Sequence, residues 1–392
     1  MTRGIPMRNG IFLAPFHPLD RDPTEAIQRD LELIENLDRF GYEEAWIGEH
    51  HSAGFEIIAS PEVFIAAAAE RTKKIRLGTG VVSLPYHNPL MTANRIIQLD
   101  HMTRGRVMFG VGPGLLASDA MMLGIDPMTQ RDRMLEGLMV IIRLFHGEVV
   151  TEKTDWYNLV NARAHLLPYT KPHPEIAVAS AVSPSGGRAA GKYGFGMLCV
   201  AATSVDGFDA LSTNWQVACE IAAENGRQMD RNLLRLVGPV HIAETREEAR
   251  RNVEWGIHKW LEYFARLNPL SPPVEPGRDP IDDMIESGRA VIGTPDDAIA
   301  QLRRLEQKQG EFGAFLQLAH NWATFDKTIK SYQLWGEHVA PVFRNANVSR
   351  AASYDWAMTN AHEFMGQAMN AAAAMMQKHA DERAAKLKKA GE

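Results

Sequence analysis

The sequence alternates short apolar runs with amphipathic segments, and this repeat constrains the fold more than any other feature. Four strand–helix units follow one another within the first 146 residues, each with a short connection. The predicted strands begin at about residues 11, 46, 75 and 107, and the third runs through residues 75–84. Such alternation predicts a parallel sheet whose strands are joined by right-handed helical crossovers.

The second half of the chain is less regular but adds four more predicted strands. They cover residues 175–179, 197–201, 233–243 and 315–318, with insertions predicted at 149–167 and 269–277. Eight strands are what a closed α/β barrel of the (β/α)8, or TIM, type requires. Pro239 inside the seventh strand predicts an edge strand or a bulge, because proline has no N–H to donate. A single amphipathic helix is predicted over 247–264.

The expected domain organisation is a barrel over residues 1–349 with a C-terminal helical tail over 350–392. Small and flexible apolar residues recur in the tail at alternating spacings of three and four, which predicts a helix with one apolar stripe. The stripe consists of Met358, Ala361, Met365, Ala368, Ala372 and Met375. It either packs on its own barrel or lies across a subunit or partner, and the sequence does not choose between them.

Charge and cysteine content exclude several classes of protein. The net charge is −6, which gives no basic surface for nucleic acid or membrane. No run approaches the ~18 apolar residues of a membrane helix. The two cysteines, Cys199 and Cys219, form no C-x-x-C pair, so we expect no disulfide or thiolate zinc site, and a cytoplasmic protein. The sequence has no H-x-H on strand one and no G-x-S-x-G, which disfavours metal-dependent and serine hydrolases.

Titratable side chains gather where the second strand ends, in the segment Trp46–His51. Adjacent strand residues point to opposite faces, so His50 and His51 are not expected to share one metal ion. His50 is a candidate acid–base group, because imidazole titrates near neutrality and barrel chemistry lies at this end of the strands. The alternative is a buried histidine that only bonds Glu49. Glu49 itself either fixes a histidine tautomer or pairs with Arg76.

A serine- and glycine-rich turn precedes the helix after the fifth strand. Helix N-termini bind phosphate through free N–H groups, and small residues let the phosphate approach closely. The candidate residues are Ser180, Ser183, Ser185, Gly186 and Gly187. An ordinary helix cap would explain one of these serines.

Several motifs together resemble the bacterial luciferase family of flavin-dependent monooxygenases. They are Gly48–His51, Gly78–Pro85 with His87-Asn88-Pro89, Leu99–Arg106 leading into Phe109–Gly112, Gly293-Thr294-Pro295 and Leu316–Asn321. The resemblance covers most of residues 8–344, and within the family it is greatest to terpene monooxygenases such as limonene and diketocamphane monooxygenases.

The resemblance implies an enzyme that uses reduced FMN and O2 to oxygenate a small hydrophobic substrate such as a terpene or cyclic ketone. A separate flavin reductase supplies the reduced flavin, some members use FAD, and the family forms homodimers. His50 matches the catalytic histidine, and the turn from Ser180 to Gly187 matches the site of the FMN phosphate. Arg131 matches an arginine that reaches the same phosphate, although helix arginines are usually surface residues.

The resemblance also implies that the third strand faces the flavin ring. The matching residues are Gly78, Thr79, Gly80 and Val81, with a non-prolyl cis peptide at Gly80–Val81. The alternative is that these glycines only taper the barrel interior.

Residues at the ends of the first and eighth strands are predicted to contact the substrate: Phe16, His17, His320, Asn321 and Trp322. Packing at the barrel rim is the alternative for Trp322. At Gly112-Pro113 the chain departs from luciferase, which carries cysteine and arginine there, so aldehyde-luciferase activity is not expected. A deazaflavin (F420)-dependent oxidoreductase of the same superfamily and a non-catalytic flavin-binding protein remain as alternatives.

Overall fold

A computed structural model describes residues 4–14, 16–267 and 277–390. The described chain forms two compact units, residues 4–344 and residues 345–390. The boundary between the units falls a few residues before the predicted one at 349.

The larger unit is a closed barrel of eight parallel strand positions surrounded by helices. Its strands are β1 (Arg8–Leu13), β2 (Glu44–Ile47), β3 (Arg76–Thr79), β4 (Val82–Ser83), β5 (Val107–Gly112), β6 (Val150–Lys153), β7 (Asn158–Ala162), β8 (Glu175–Ser180), β9 (Gly196–Cys199), β10 (Leu234–Ile242), β11 (Val291–Gly293) and β12 (Ala314–Leu318). The parallel order is β1, β2, β3, β5, β8, β9, β10 and β12, and β12 pairs with β1 to close the barrel. The predicted barrel is therefore confirmed.

The helices of the barrel follow the strands and cover them from outside. They are α1 (Pro23–Arg39), α2 (Pro61–Arg71), α3 (Pro89–Thr103), α4 (Ala117–Met122), α5 (Gln130–Phe145), α6 (Ser185–Tyr193), α7 (Val205–Glu224), α8 (Arg246–Val253), α9 (Ile257–Leu267), α10 (Pro280–Glu286), α11 (Pro295–Gln309), α12 (Phe325–Leu334) and α13 (Ala340–Phe343). Asp22 caps α1 and Thr294 forms a capping box with Asp297 at α11, so polar side chains set where these helices begin.

Three predicted elements differ from the structure. The third strand is two short strands, β3 and β4, separated at Gly80–Val81. Pro239 does not mark an edge strand, because β10 pairs with both β9 and β12. On the side of β10 opposite β12, pairing with β9 ends at Leu236 and pairing with β11 begins at Val240. Pro239 lies between the two pairings, so its missing N–H costs no hydrogen bond on that side.

The predicted helix over 247–264 is two helices, α8 and α9. They are separated at Gly256, where an added Cβ would lie 2.1 Å from the backbone oxygen of Asn321. The predicted insertion at 149–167 contains an antiparallel hairpin of β6 and β7. The predicted loop at 269–277 falls almost wholly outside the described residues.

Charged side chains lie where the strands begin, at the end of the barrel opposite the predicted site. Arg235 is fully buried and binds both carboxylate oxygens of Glu44, at 2.6 and 3.0 Å, as well as Glu175. Arg8 and Arg76 pair with the same two carboxylates. We call these five residues the strand-start cluster.

Trp46 fills the barrel above the strand-start cluster. Its indole N–H donates to Glu44, and the guanidinium of Arg235 lies 4.8 Å from the ring centroid. Gly78 leaves room for the indole, since a Cβ there would lie 2.6 Å from the ring. The missing side chain at Gly78 therefore makes room for the Trp46 indole inside the barrel.

The smaller unit consists of α14 (Val348–Thr359) and α15 (Ala361–Ala390), so the predicted C-terminal tail is helical. It forms two helices instead of one, because α14 ends within the predicted stripe, with Asn360 as its C-cap. Its apolar side chains, including Trp356, Met358, Met365 and Met375, are exposed. Within the described ranges, none of the helices has the length and hydropathy that a bilayer crossing needs.

Candidate active site

A cavity of about 380 Å3 opens at the carboxyl ends of the barrel strands. Its polar lining residues include His50, Glu56, Ser183, Ser185 and Arg131. Much of its apolar lining comes from α9. In parallel α/β barrels this end of the strands carries the chemistry.

His50 lies between two carboxyl groups at one wall of the cavity. Its Nδ1 is hydrogen-bonded to Asp119 Oδ2 at 3.2 Å, and its Nε2 lies 3.3 Å from Glu56 Oε2. Its backbone N–H donates to Ile58 O at 3.1 Å. The alternative of a histidine that bonds only Glu49 is thereby excluded.

The pKa values of His50, Glu56 and Asp119 are shifted from their ordinary values in different directions. Burial opposes the charge of His50, but the carboxylates of Glu56 and Asp119 outweigh it and raise its pKa. Burial raises the pKa of Glu56, and its contacts with His50 and Tyr263 only partly offset this. At Asp119, hydrogen bonds from His50 and Ser52 outweigh burial and lower the pKa. The imidazole thus lies between one carboxyl group whose pKa is lowered and another whose pKa is raised.

Glu49 braces the loops around the site. Its Oε1 lies 2.8 Å from His51 Nε2 and 2.6 Å from His87 Nε2, and its Oε2 accepts the Ser83 N–H at 2.7 Å. Arg76 pairs with Glu175 instead, so Glu49 orients histidines rather than binding Arg76.

The ligand atoms of Glu49, His51 and His87 are close enough to surround a cation. However, Arg95 approaches His87 Nδ1 at 3.4 Å, which places the ring proton on Nε2, facing Glu49. A protonated Nε2 cannot bind a metal, so the geometry favours a hydrogen-bonded brace.

His51 points away from the cavity, as predicted, but for a different reason. Strand β2 ends at Ile47, so strand alternation does not govern His50 and His51. His51 is turned instead by its bond to Glu49.

The serine-rich turn leads into the N-terminus of α6, which faces the cavity. Pro184 at the N-cap supplies no side-chain bond to the first N–H groups of the helix. Ser183 and Ser185 bond each other at 2.9 Å, and both line the cavity with Ser180 and Gly186. The buried Ser180 hydroxyl has the Cys199 thiol as a neighbour and no other hydrogen-bond partner in the described part of the chain. The helix N-terminus and the hydroxyls, together with the exposed Arg131 that lines the same cavity, suit a phosphate.

Gly187 is placed differently from Gly186. A Cβ at Gly187 would lie 2.5 Å from Asn214 O, so this glycine allows α6 to pack against α7 and does not line the cavity.

The third-strand residues divide into cavity and core. Gly80 and Val81 line the cavity, and the peptide bond between them is cis. Thr79 is fully buried, and its hydroxyl donates to Gly110 O at 2.7 Å and accepts the Gly110 N–H at 2.9 Å. Gly78 packs on Trp46. Thr79 and Gly78 therefore shape the barrel without reaching the cavity.

The five predicted substrate residues do not line this cavity. Phe16, His17, His320 and Asn321 line a second cavity of about 280 Å3 beside α1. His320 donates from Nε2 to Val240 O at 2.9 Å and stacks on Trp322, which is fully buried. Their role in substrate binding remains a prediction, although none of them lines the cavity that contains His50.

The residues that do form the apolar wall were not among the predicted ones. They are Trp260, Leu261, Tyr263, Phe264 and Leu267 of α9, together with Met284 of α10. Their spacing of three and four was visible as an amphipathic helix, but nothing in the pattern said that its apolar face lines a cavity. Glu56 and Asp119 also went unpredicted, because they lie outside the strands and belong to no motif.

Comparison with known proteins gives consistent matches along the chain. A family model described as luciferase-like monooxygenase matches residues 7–310. Limonene 1,2-monooxygenase of Rhodococcus erythropolis is 48% identical over 354 residues, covering 90% of this chain and 90% of the relative. The 4-hydroxyprotoasukamycin monooxygenase of Streptomyces nodosus subsp. asukaensis is 46% identical, covering 88% and 95%.

The fold has solved counterparts as well. The oxygenating constituent of 3,6-diketocamphane monooxygenase from Pseudomonas putida, solved in complex with FMN, superposes with a TM-score of 0.73. It is 24% identical and covers 86% of this chain and 99% of its own.

Proposed function

Because this chain belongs to the luciferase-like monooxygenase family, we propose that it is the oxygenase component of a two-component system. It takes reduced FMN from a separate flavin reductase and uses O2 to oxygenate a small hydrophobic substrate such as a terpene or cyclic ketone. One observation carries the proposal: a single cavity joins a serine-rich turn at a helix N-terminus, a histidine between carboxyl groups and an apolar wall.

The cofactor proposal rests on residues that suit a flavin phosphate. Ser183, Ser185 and the N–H groups at the start of α6 would hold the phosphate, with Arg131 supplying the positive charge. The backbone at Gly80–Val81 would face the ring. When bound there, reduced FMN would supply the electrons that activate O2, and one atom of O2 would enter the substrate.

His50 provides the acid–base function in this proposal. Asp119 fixes the ring through Nδ1, so Nε2 is the nitrogen that gives or takes a proton at the cavity wall. The aromatic side chains of α9 exclude water from the same space.

The substrate class follows from the apolar wall. Trp260, Leu261, Phe264 and Met284 offer area for hydrophobic contact and few hydrogen-bonding groups. A relative at 48% identity is named for its action on limonene, which agrees with a substrate of this kind.

The test is a binding titration of the purified chain with oxidised FMN, reduced FMN, FAD and F420. The reduced complex is then mixed with oxygenated buffer, with limonene and a cyclic ketone as probes. Tight binding of reduced FMN and oxygenated product support the proposal. Binding of F420 alone with hydride transfer would replace it with an F420-dependent oxidoreductase. Flavin binding without turnover of any probe or consumption of O2 would indicate a non-catalytic flavin-binding protein.

The proposal includes a cytoplasmic homodimer, as expected from the family. Light scattering should give twice the 43.6 kDa chain mass. A mass of one chain would contradict the dimer and leave the chemistry unaffected.

A further inference from the structure

Glu56 and Asp119 flank the same imidazole but differ in what lies beyond them. Asp119 contacts Nδ1 and does not line the cavity, whereas Glu56 contacts the Nε2 side and does line it. A proton on the Nε2 side therefore has a carboxyl oxygen beside it at the cavity wall.

Asp119 is built as a fixed anion. Besides His50, it accepts hydrogen bonds from the Ser52 hydroxyl and from the His51 N–H at 3.1 Å. Three donors satisfy its two oxygens, and their hydrogen bonds outweigh burial and lower its pKa. It orients His50 through Nδ1.

Glu56 has a less polar environment. It is 7% exposed, and its described polar contacts are His50 and the Tyr263 hydroxyl, which donates to Oε2 at 3.0 Å. The Tyr263 ring packs on Phe16 and Phe55. Burial and the Glu56 carboxylate raise the pKa of Tyr263, so the phenol keeps its proton and stays a donor.

Other charged groups near His50 do not change the difference between Glu56 and Asp119. Asp119 acts on Glu56 at longer range and disfavours its ionisation. Glu49 favours the charged form of His50, and His50 disfavours the charged form of His51.

We propose that Glu56 is a positioning residue that acts through His50 by storing the proton that Nε2 exchanges with the cavity. Its role in turnover rests on the proposed function. The Glu56 carboxyl and Nε2 share one proton across their 3.3 Å contact. When an acceptor in the cavity takes this proton, the Glu56 O–H bond breaks, an N–H bond forms at Nε2 and then breaks, and the acceptor gains the bond to hydrogen. The Tyr263 hydroxyl stabilises the carboxylate that remains. Solvent returns a proton to Glu56 after product has left the cavity.

The first test needs no cofactor. The full chain is labelled with 15N-histidine, the His50 signals are assigned from a His50→Gln variant, and their titration is followed by NMR. Glu56→Gln removes the carboxylate that stabilises the charged imidazole when Nε2 holds the shared proton, so the pKa of His50 should fall by about one unit or more. Glu56→Asp should restore most of the loss. Glu62→Gln is the control: Glu62 is also buried, but it bonds Arg95 and Ser60 and makes no bond to His50.

The second test separates proton storage from a structural role. In Glu56→Gln the kcat for oxygenation should fall about tenfold and its pH profile should shift, while the Kd for reduced FMN stays within twofold of wild type. Tyr263→Phe, which keeps the ring, should change the profile in the same direction by a smaller amount. Tyr263→Phe also provides the test of the pH profile if Glu56→Gln does not fold.

The outcomes distinguish this inference from the proposed function. An unchanged His50 pKa, or an unchanged pH profile of kcat in a folded Glu56→Gln variant, overturns the inference even if wild type oxygenates its substrate. If the His50 pKa is lower in Glu56→Gln than in wild type, but wild type oxygenates no substrate, the result supports proton sharing and overturns the proposed function.

Discussion

The two ends of the barrel each bury a group of charged side chains, and the two groups are balanced in opposite ways. In the strand-start cluster, the guanidinium of Arg235 binds Glu44 through two hydrogen bonds, and further arginines neutralise both acids. At the other end, the imidazole of His50 faces two carboxyl groups and an open cavity.

The difference shows how one barrel separates stability from chemistry. At Glu44, contact with Arg235 outweighs burial and holds the pKa far below its usual range, so the acid never changes charge near neutral pH. At His50, one imidazole faces two carboxyl groups beside a cavity, and their shifted pKa values favour proton exchange there. Changes at the first end should therefore affect unfolding, and changes at the second should affect turnover.

The largest effect is expected from Arg235→Ala. It leaves Glu44 buried without its main partner, which should lower the free energy of unfolding by about 3–5 kcal/mol. Urea unfolding at pH 7 measures this. The loss should shrink as pH falls below the ordinary glutamate pKa of 4.5, because protonation removes the unpaired charge.

Arg76→Ala is the matched control, since Arg76 binds Glu175 from a position that is 33% exposed. Its cost should stay below about 1 kcal/mol. Equal losses for both variants would show that burial of the cluster does not matter.

At the opposite end, His50→Ala should lower the rate of oxygenation about 10- to 100-fold, within the range for acid–base groups. Binding of reduced FMN and the urea midpoint should change little, because the ring lies at the cavity wall. Steady-state turnover and flavin titration measure both. Turnover equal to wild type would remove His50 from the mechanism, and His51→Ala, outside the cavity, should cost less.

Ser185→Asp tests the proposed phosphate position. A carboxylate at the start of α6 would repel a phosphate there, so the Kd for FMN should rise about tenfold, or about 1.4 kcal/mol. Fluorescence titration measures the affinity, with Ser185→Asn as the neutral control of similar size. Equal affinity for the two variants would put the phosphate elsewhere.

The smallest effect on stability is expected from His241, a histidine without a carboxylate partner among the described residues. His241 on β10 is fully buried, and neither of its ring nitrogens has a hydrogen-bond partner within the described residues. Burial, with smaller contributions from His320 and Lys327, lowers its pKa to about 3, whereas the carboxylates beside His50 raise the pKa of that ring.

Below the ordinary histidine pKa of 6.5, the unfolded chain binds a proton at this position and the folded chain does not. Stability from His241 is therefore present above pH 6.5 and is lost as pH falls toward 3. Between pH 7 and 5.5, wild type should lose about 1 kcal/mol more than His241→Leu. Parallel pH profiles of the unfolding free energy would contradict this.

The barrel and the polar side of the site follow from local pattern. Alternating strands and helices predicted the closed sheet, and strand ends and a serine-rich turn predicted that His50, Ser183 and Ser185 share one cavity. These features depend on residues near one another in the chain or on the common direction of parallel strands.

The apolar side of the site depends on packing over long range. The α9 helix lies over the ends of β1 and β12, with ring centroids 5.3 Å apart for both Phe16–Tyr263 and Trp260–Trp322. Phe16 and Trp322, which follow those strands, therefore pack beneath α9, whereas Phe12 and Leu318 within the strands line the cavity. Glu56 is brought to His50 by a loop, for which the sequence offers no periodic signal.

The fit between Trp46 and Gly78 has an evolutionary consequence. An indole at position 46 leaves no space for even a methyl group at position 78, so each residue restricts what the other can become. A lineage that replaces Gly78 must first shorten Trp46, which would also remove the N–H donated to Glu44. We expect these two positions to vary together or not at all among descendants of this chain.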